Sequence, residues 1–586
     1  MRGIRTLPTA PQTSALRGVV VAIAVLQSAV LGVLARRGSW LSDDLDFLVQ
    51  GGRGFAPAEL LTPVNDHIAP GLRFFYAVFA TVAPLDHDFT VGWRVVMQAI
   101  AIVLMGLLLI RILGSSWWVV AGTLFYALTP LSMPSFMSLS SGVNNLSAHV
   151  FGLLLLHATI DWYDDHRRRA IAYGPLSLLI TLACWEKSGL MLFTAVALAL
   201  YLRTEPIRPW LRRTWPFAAA LTAPIVAFGI LYLTQGNPST GQLPGPRQLL
   251  ELLARGFGVP LSALTGGPWT WAGTGQSMSL AAPPVAAFVI GALVAAVVLT
   301  TAWRRDRRAL LLWASVAAYV LVTVFLVSYG RFRVFGSVFT VHYHYWSDLS
   351  IPLTLAVVLS LSTVRLRLVV VPVACLVVGV VVSDAGFARE WGKNPAKGYF
   401  ATVTTELDRA GPNVNLWDTN LPPTIGTALM SDPRLSPVLR MAGIPFQLQS
   451  PSSEPLIVDD TGHLRPSQLA VWSRSEPAKE PDSFCNHLMH GTETLSIPLA
   501  PTQNEVATAD WFVKAAYFSN RENSVSIELV DGDGNVAALP SAKWPAGLGN
   551  MYFGPSRRIK ATEVRLRSSD PATNLCVQNL EIGLPR

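Results

Sequence analysis

Ser42-Asp43-Asp44-Leu45-Asp46 sets three carboxylates within four residues, just beyond the first long hydrophobic block of a 586-residue chain. Carboxylates at a membrane boundary are costly to desolvate and are rarely placed there for packing, so they read first as a functional or a metal site. The plain alternative is a solvated loop or a helix cap, with Ser42 or Asp43 capping a short helix that carries Leu45, Phe47 and Leu48. An Asp43-Asp44 pair with Asp46 offers only oxygen ligands and would suit a hard divalent cation, Ca²⁺, Mg²⁺ or Mn²⁺, if one is bound. A second charged pair, Glu186-Lys187, falls in Trp185-Glu186-Lys187-Ser188-Gly189, between two apolar blocks. It reads either as a local ion pair or as the floor of a pocket.

These groups need a scaffold, and composition says what kind. Half of the residues (51%) are hydrophobic, 14% are charged and the mean hydropathy is +0.40. The apolar residues fall in long blocks separated by short polar connections, the pattern of a multi-spanning α-helical membrane protein. The net charge of +8 comes from arginines clustered between those blocks, as topology signals are, and not from one basic stripe for nucleic acid. The block at 16–35 follows Arg2, Arg5 and Arg17 and leads into Arg36-Arg37 with no small-residue cleavage site. It reads as an uncleaved first helix with a cytoplasmic N-terminus.

Ten further spans are expected at 92–112, 116–133, 143–163, 170–184, 189–202, 216–234, 282–303, 309–328, 348–363 and 368–384, making about eleven. The apolar stretch 69–85 is not counted. Arg167-Arg168-Arg169, Arg208 with Arg212-Arg213, Arg304-Arg305 with Arg307-Arg308, and Arg365 with Arg367 all fall inside only if 69–85 lies on the outer surface. It then forms an interfacial helix in a first outer loop, 38–91. The same alternation puts the loops 236–280 and 330–347 outside, together with everything after Asp384.

The chain therefore divides into a transmembrane domain, 1–384, an extracytoplasmic α/β region, 385–484, and an antiparallel β-sandwich, 485–586. Asp531-Gly532-Asp533-Gly534 reads as a hairpin turn, since no EF-hand spacing follows. Cys485 and Cys576 both lie in the outer domain and are expected to form a disulfide, whereas Cys184 and Cys375 lie within spans. No P-loop and no GxGxxG after a strand is found, so ATP-driven transport and nucleotide-sugar chemistry are unsupported. A lipid-borne activated group is the reasonable substrate on an outer face.

An uncleaved first helix, an acidic outer loop opening with Asp43-Asp44, an interfacial helix introduced by Asn65-Asp66-His67-Ile68-Ala69-Pro70, and a terminal extracytoplasmic domain together resemble the integral-membrane GT-C glycosyltransferases. The acidic pair with a β-rich C-terminal module is most similar to actinobacterial cell-wall members, including arabinofuranosyltransferases, and the Ala-, Arg- and Val-rich composition fits a high-GC actinobacterium. The resemblance implies transfer of a sugar from a polyprenyl-phosphate donor to a cell-envelope polysaccharide or glycolipid acceptor. It implies a plasma-membrane location and a first-loop acid, Asp43 or Asp44, as the base that deprotonates the acceptor hydroxyl. The C-terminal sandwich resembles carbohydrate-binding modules and would hold glycan near the site.

The leaving phosphate needs cations or preorganised donors. Candidates are Arg331 and Arg333, then His342 and His344 in Val341-His342-Tyr343-His344-Tyr345-Trp346. The same residues also read as interfacial arginines and an aromatic belt. His67, Asn145, Glu186, Lys187, Trp269 and Trp271 are the candidate sugar- or acceptor-binding residues. Two other classes compete with the enzyme: a transporter or flippase of a lipid-linked glycan, and a noncatalytic wall-polysaccharide scaffold. The concentration of polar residues at one mouth, without a polar path across the midplane, favours the enzyme.

Overall fold

The structure is a computed structural model and describes residues 10–63, 67–235, 244–273, 279–365, 368, 370–427, 430–479, 484–502 and 507–586. Asn65 and Asp66, Arg367 and parts of the 236–280 loop lie outside them. The chain forms two compact units, Met1–Ala396 and Lys397–Arg586.

The first unit is a polytopic helical membrane domain. Among the described residues, eight helical stretches are long and apolar enough to cross a bilayer: Thr13–Ala35, His87–Leu113, Trp117–Met137, Leu139–Tyr163, Ile207–Gln235, Val285–Arg305, Arg307–Arg333 and Val370–Ala410. The other three expected spans also fold as helices but differ in make-up. Arg167–Cys184 opens with three arginines. Met191–Leu202 and Ser350–Leu361 have only 12 residues each, about 18 Å of helix at 1.5 Å per residue. Each continues a stretch of tighter 3-10 helix, Glu186–Leu190 and Tyr343–Leu349. Both 3-10 segments contribute to one cavity, Glu186 from the first and His344 with Tyr345 from the second. The last helix of the bundle runs through Asp384 to Trp391, past the end of its apolar block.

The 69–85 stretch is the 13-residue helix Pro70–Val82, about 20 Å long and too short for a 30 Å hydrocarbon core. It packs against the short acidic helix Ser42–Gly51. The fit is close: a Cβ at Gly51 would lie 2.6 Å from the Tyr76 backbone. Phe47 meets Tyr76 edge to face at 5.4 Å. Arg73, in the same helix, donates to the Thr62 carbonyl at 2.6 Å and to Gln50 Oε1 at 2.9 Å. Gln50 in turn donates to Asp46 at 2.9 Å.

The second unit holds two sheets. A small four-stranded sheet orders Gln447–Leu448, Asn415–Leu416, Leu456–Val458 and Leu464–Pro466. A nine-stranded antiparallel sheet curls over one core, and its first strand, Leu469–Ser475, begins earlier than residue 485. Alternation along Asn523–Asp531 buries Val525, Ile527 and Leu529 completely. The two faces expected of a sandwich are joined here in one path of strands. At the Asp531 turn, Asp531 Oδ1 accepts the N–H groups of Asp533 (3.0 Å) and Asn535 (2.8 Å), so this carboxylate caps its own hairpin.

Cys485 and Cys576 are joined by a disulfide with Cα atoms 5.6 Å apart, closing a separation of 91 residues. Replacing both cysteines by alanine is expected to destabilise the C-terminal unit by about 2–4 kcal/mol, because a long loop in the unfolded chain is released. The check is the melting temperature of this unit, with and without reductant; equal melting would contradict it.

Candidate functional site

The Ser42–Gly51 helix points its first two acids in different directions, because successive helical residues are about 100° apart. Asp44 turns inward and is 1% exposed. Its Oδ2 accepts the Leu41 N–H at 3.0 Å and its Oδ1 accepts the Ser140 N–H at 2.8 Å. The hydroxyls of Ser138 and Tyr76 each approach Oδ1 at 3.4 Å. These donors occupy the carboxylate and fasten the acidic helix to the start of Leu139–Tyr163.

Asp43 turns outward into a cavity of about 110 Å³ at one end of the helical bundle. Among the described residues it makes no hydrogen bond or ion pair. Its carboxyl is reachable from the cavity mouth yet walled by protein, and that burial, with the Asp44 and Asp46 carboxylates nearby, raises its pKa to about 6. Arg331 acts in the opposite direction.

Arg331 reaches the cavity from the last turns of the Leu310–Phe335 helix. Its Nη2 lies 3.0 Å from His67 Nε2. A guanidinium can only donate, so Nε2 accepts and the ring proton sits on Nδ1, against Glu186 Oε1. Burial alone would raise the Glu186 carboxyl, but His67 and Arg331 outweigh it and hold its pKa below the usual range. Glu186, His67 and Arg331 thus form one chain along the wall, and Arg331 also bonds the Tyr345 hydroxyl.

Asn145 and His344 also line the cavity, the Asn145 amide donating to the His344 carbonyl at 3.1 Å. Asp43, His67, Asn145, Glu186, Arg331 and His344, distant in sequence, therefore share one cavity, joined by Asn144, Trp185 and Tyr345.

Other candidates fall elsewhere. Arg333 stands about 200° around its helix from Arg331 and is exposed. His342 does not line the cavity, and burial lowers its pKa to about 4. His344 lies well below the usual imidazole range through burial, with His342, Lys187 and Arg331 adding to the effect. Both rings are neutral at pH 7, so the cationic role expected of them falls to Arg331.

Trp269 and Trp271 serve as anchors: the Trp269 indole donates to the Thr265 carbonyl at 3.0 Å and the Trp271 indole to the Ser383 carbonyl at 2.8 Å. Of the acidic pair only Asp43 lines the cavity, because Asp44 is taken up by protein donors. Among the described residues no group of three or more His, Cys, Asp or Glu is placed to hold a metal ion.

Lys187 lies behind the wall. It is 4% exposed and donates to Asp348 at 2.7 Å, to the Tyr345 carbonyl at 2.8 Å and to the Tyr319 hydroxyl at 3.2 Å. This pair pins the Tyr343–Leu349 segment to the Glu186–Leu190 turn, which places His344 and Tyr345 at the cavity. Asp348 carries no sequence signal, because its partner is 161 residues away.

No family model and no curated protein matches the chain. Among solved structures it is similar to the cryo-EM structure of arabinosyltransferase EmbB from Mycobacterium smegmatis, at 14% identity and a TM-score of 0.36. That match covers 100% of this chain and 66% of the other, so the chain spans just under two thirds of that protein's length. It is also similar to the crystal structure of ArnT from Cupriavidus metallidurans bound to undecaprenyl phosphate, at 11% identity and a TM-score of 0.38, covering 76% and 94% of the two chains. At these scores the chemistry of the cavity rests on its own residues.

Replacing Lys187 by Met, or Asp348 by Asn, is expected to lower stability strongly. Losing one partner of a buried pair costs about 3–5 kcal/mol. The double variant should recover part of the loss in thermal melting, and additive losses would contradict the pairing.

Proposed function

We propose that this protein is an inverting glycosyltransferase that moves a sugar, arabinofuranose or mannose, from a polyprenyl-phosphate donor to a cell-envelope glycan acceptor on the extracytoplasmic face. One observation carries the reading: a carboxyl with no partner among the described residues and a pKa of about 6, Asp43, shares a cavity with the guanidinium of Arg331. A base poised near neutral pH and a fixed cation opposite it are the two charges that glycosyl transfer from a phosphate requires.

In the reaction, the acceptor hydroxyl gives its proton to Asp43 as its oxygen bonds to the anomeric carbon. The bond from that carbon to the phosphate oxygen breaks on the opposite face, with inversion, and the electron pair leaves with the lipid phosphate. Arg331 meets the developing charge, held by His67, whose ring is oriented by Glu186. Asp44 is a positioning residue that fixes the helix carrying the base. The C-terminal sheet would retain the growing glycan and raise its local concentration.

Transfer from synthetic polyprenyl-phosphate sugars by purified protein tests the reading. Asp43→Asn should reduce turnover by roughly 10²- to 10⁴-fold. It should melt no lower than the parent, because a carboxyl with a raised pKa is charged at a cost to the fold at pH 7. Asp44→Asn should melt lower, since the amide keeps one acceptor oxygen and one of the two backbone N–H groups then faces an NH2 group. Unchanged turnover in Asp43→Asn would remove the base from the mechanism.

The pH profile is a separate check. The base works deprotonated, so kcat/KM should fall as pH drops through about 6. A bound phosphate offsets Arg331, the one influence that lowers the pKa, so the acid limb of kcat should lie at higher pH than that of kcat/KM. Superimposed limbs, or none above pH 5, would contradict the assignment.

A further inference from the structure

The cavity holds three buried oxygen acceptors that have no donor among the described residues. Asn145 is 1% exposed, and its amide nitrogen is committed to the Ser141 carbonyl at 3.0 Å and the His344 carbonyl at 3.1 Å. That fixes which way the amide faces, with Oδ1 as the remaining atom. Asn145 Oδ1, Asn144 Oδ1 and Glu186 Oε2 have no hydrogen-bond partner among the described residues, and all three residues line the cavity beside Asp43.

Buried acceptors in a folded protein are normally paired, so a cluster of them marks where a ligand supplies the donors. The nearest protein ammonium, Lys187, is spent on Asp348, Tyr345 and Tyr319.

Two kinds of donor could fill such a site, hydroxyls and an ammonium. Glu186 already meets the His67 ring through Oε1 and lies in the field of Arg331, which together hold its pKa low. A second cation would sit in the field of Arg331, whereas neutral hydroxyls satisfy the acceptors with no added charge.

Resting on the transferase reading, we infer that Asn144, Asn145 and Glu186 form the specificity subsite for the transferred sugar, and that it takes a neutral ring with hydroxyls on the edge facing them. The same edge rejects deoxy and amino-deoxy sugars, because each leaves a buried acceptor unpaired or brings an uncompensated charge. Asp43 and Arg331 then act on the anomeric carbon of a ring whose far edge is read by these three side chains.

The test uses short-chain polyprenyl-phosphate arabinofuranose and mannose, each with its set of monodeoxy analogues and an amino-deoxy analogue. kcat/KM is measured for the full-length protein and for Asn144→Ala, Glu186→Ala and Glu186→Gln, each checked by melting. In the parent protein, loss of an engaged hydroxyl should lower kcat/KM by roughly 10- to 100-fold. In the variant lacking the matching acceptor the same deletion should matter by less than about twofold. Glu186→Gln, which keeps an acceptor oxygen, should restore part of the discrimination that Glu186→Ala loses.

Monodeoxy donors all within about twofold of the parent sugar would overturn the subsite. So would losses that persist unchanged in the variants, or an amino-deoxy donor preferred over the parent. Those results leave transfer itself intact, whereas no transfer from any donor would remove the transferase reading and this inference with it.

Discussion

The site depends on the way Asp44 is buried. A carboxylate with 1% exposure is tolerable only where donors replace water, and here two backbone N–H groups and two hydroxyls surround it. Those donors belong to three parts of the chain: the entry to the acidic helix, the Pro70–Val82 helix and the start of Leu139–Tyr163. Satisfying one charge therefore assembles three elements. The helix geometry then leaves the neighbouring Asp43 directed at the cavity, where burial and the nearby Asp44 and Asp46 carboxylates raise its pKa and suit it to accept a proton.

A second constraint shapes the opposite wall. Two helices that would otherwise span, Met191–Leu202 and Ser350–Leu361, give up their ends to the 3-10 segments Glu186–Leu190 and Tyr343–Leu349. This exposes polar backbone and side chains at the cavity. The buried Lys187–Asp348 pair ties the two segments to each other, and such pairs specify an arrangement more than they stabilise it. We take this as the physical reason the cavity can be polar inside an apolar bundle.

The sequence was informative where one residue's chemistry could be read without its partner. The acidic cluster, the apolar 69–85 stretch that the arginine clusters set on the outer surface, and the aromatic and basic run around His344 each carried a signal, and Asp43, Pro70–Val82 and His344 lie together in the structure or line its cavity. What stayed hidden was relational. Nothing local separates Asp43 from Asp44, since their difference lies in donors about 95 residues away. Arg331 and Arg333 look alike until the helix places them on different faces, and Lys187 looks like a site residue until Asp348 claims it. Trp269 and Trp271 invite a sugar-stacking role by type, yet their indole N–H groups are used to hold a loop. Asn144 has no motif, and its unpaired oxygen appears only once the cavity closes around it.

The most direct measurement is an experimental structure of the full-length protein with a non-transferable polyprenyl-phosphonate sugar bound. The account predicts the phosphonate at the Arg331 guanidinium, the anomeric carbon facing the Asp43 carboxylate across a gap that admits an acceptor hydroxyl, and Asp44 still bonded to the Ser140 N–H. A ligand seated elsewhere, or one bound here with Asp43 turned away from the anomeric carbon, would contradict it.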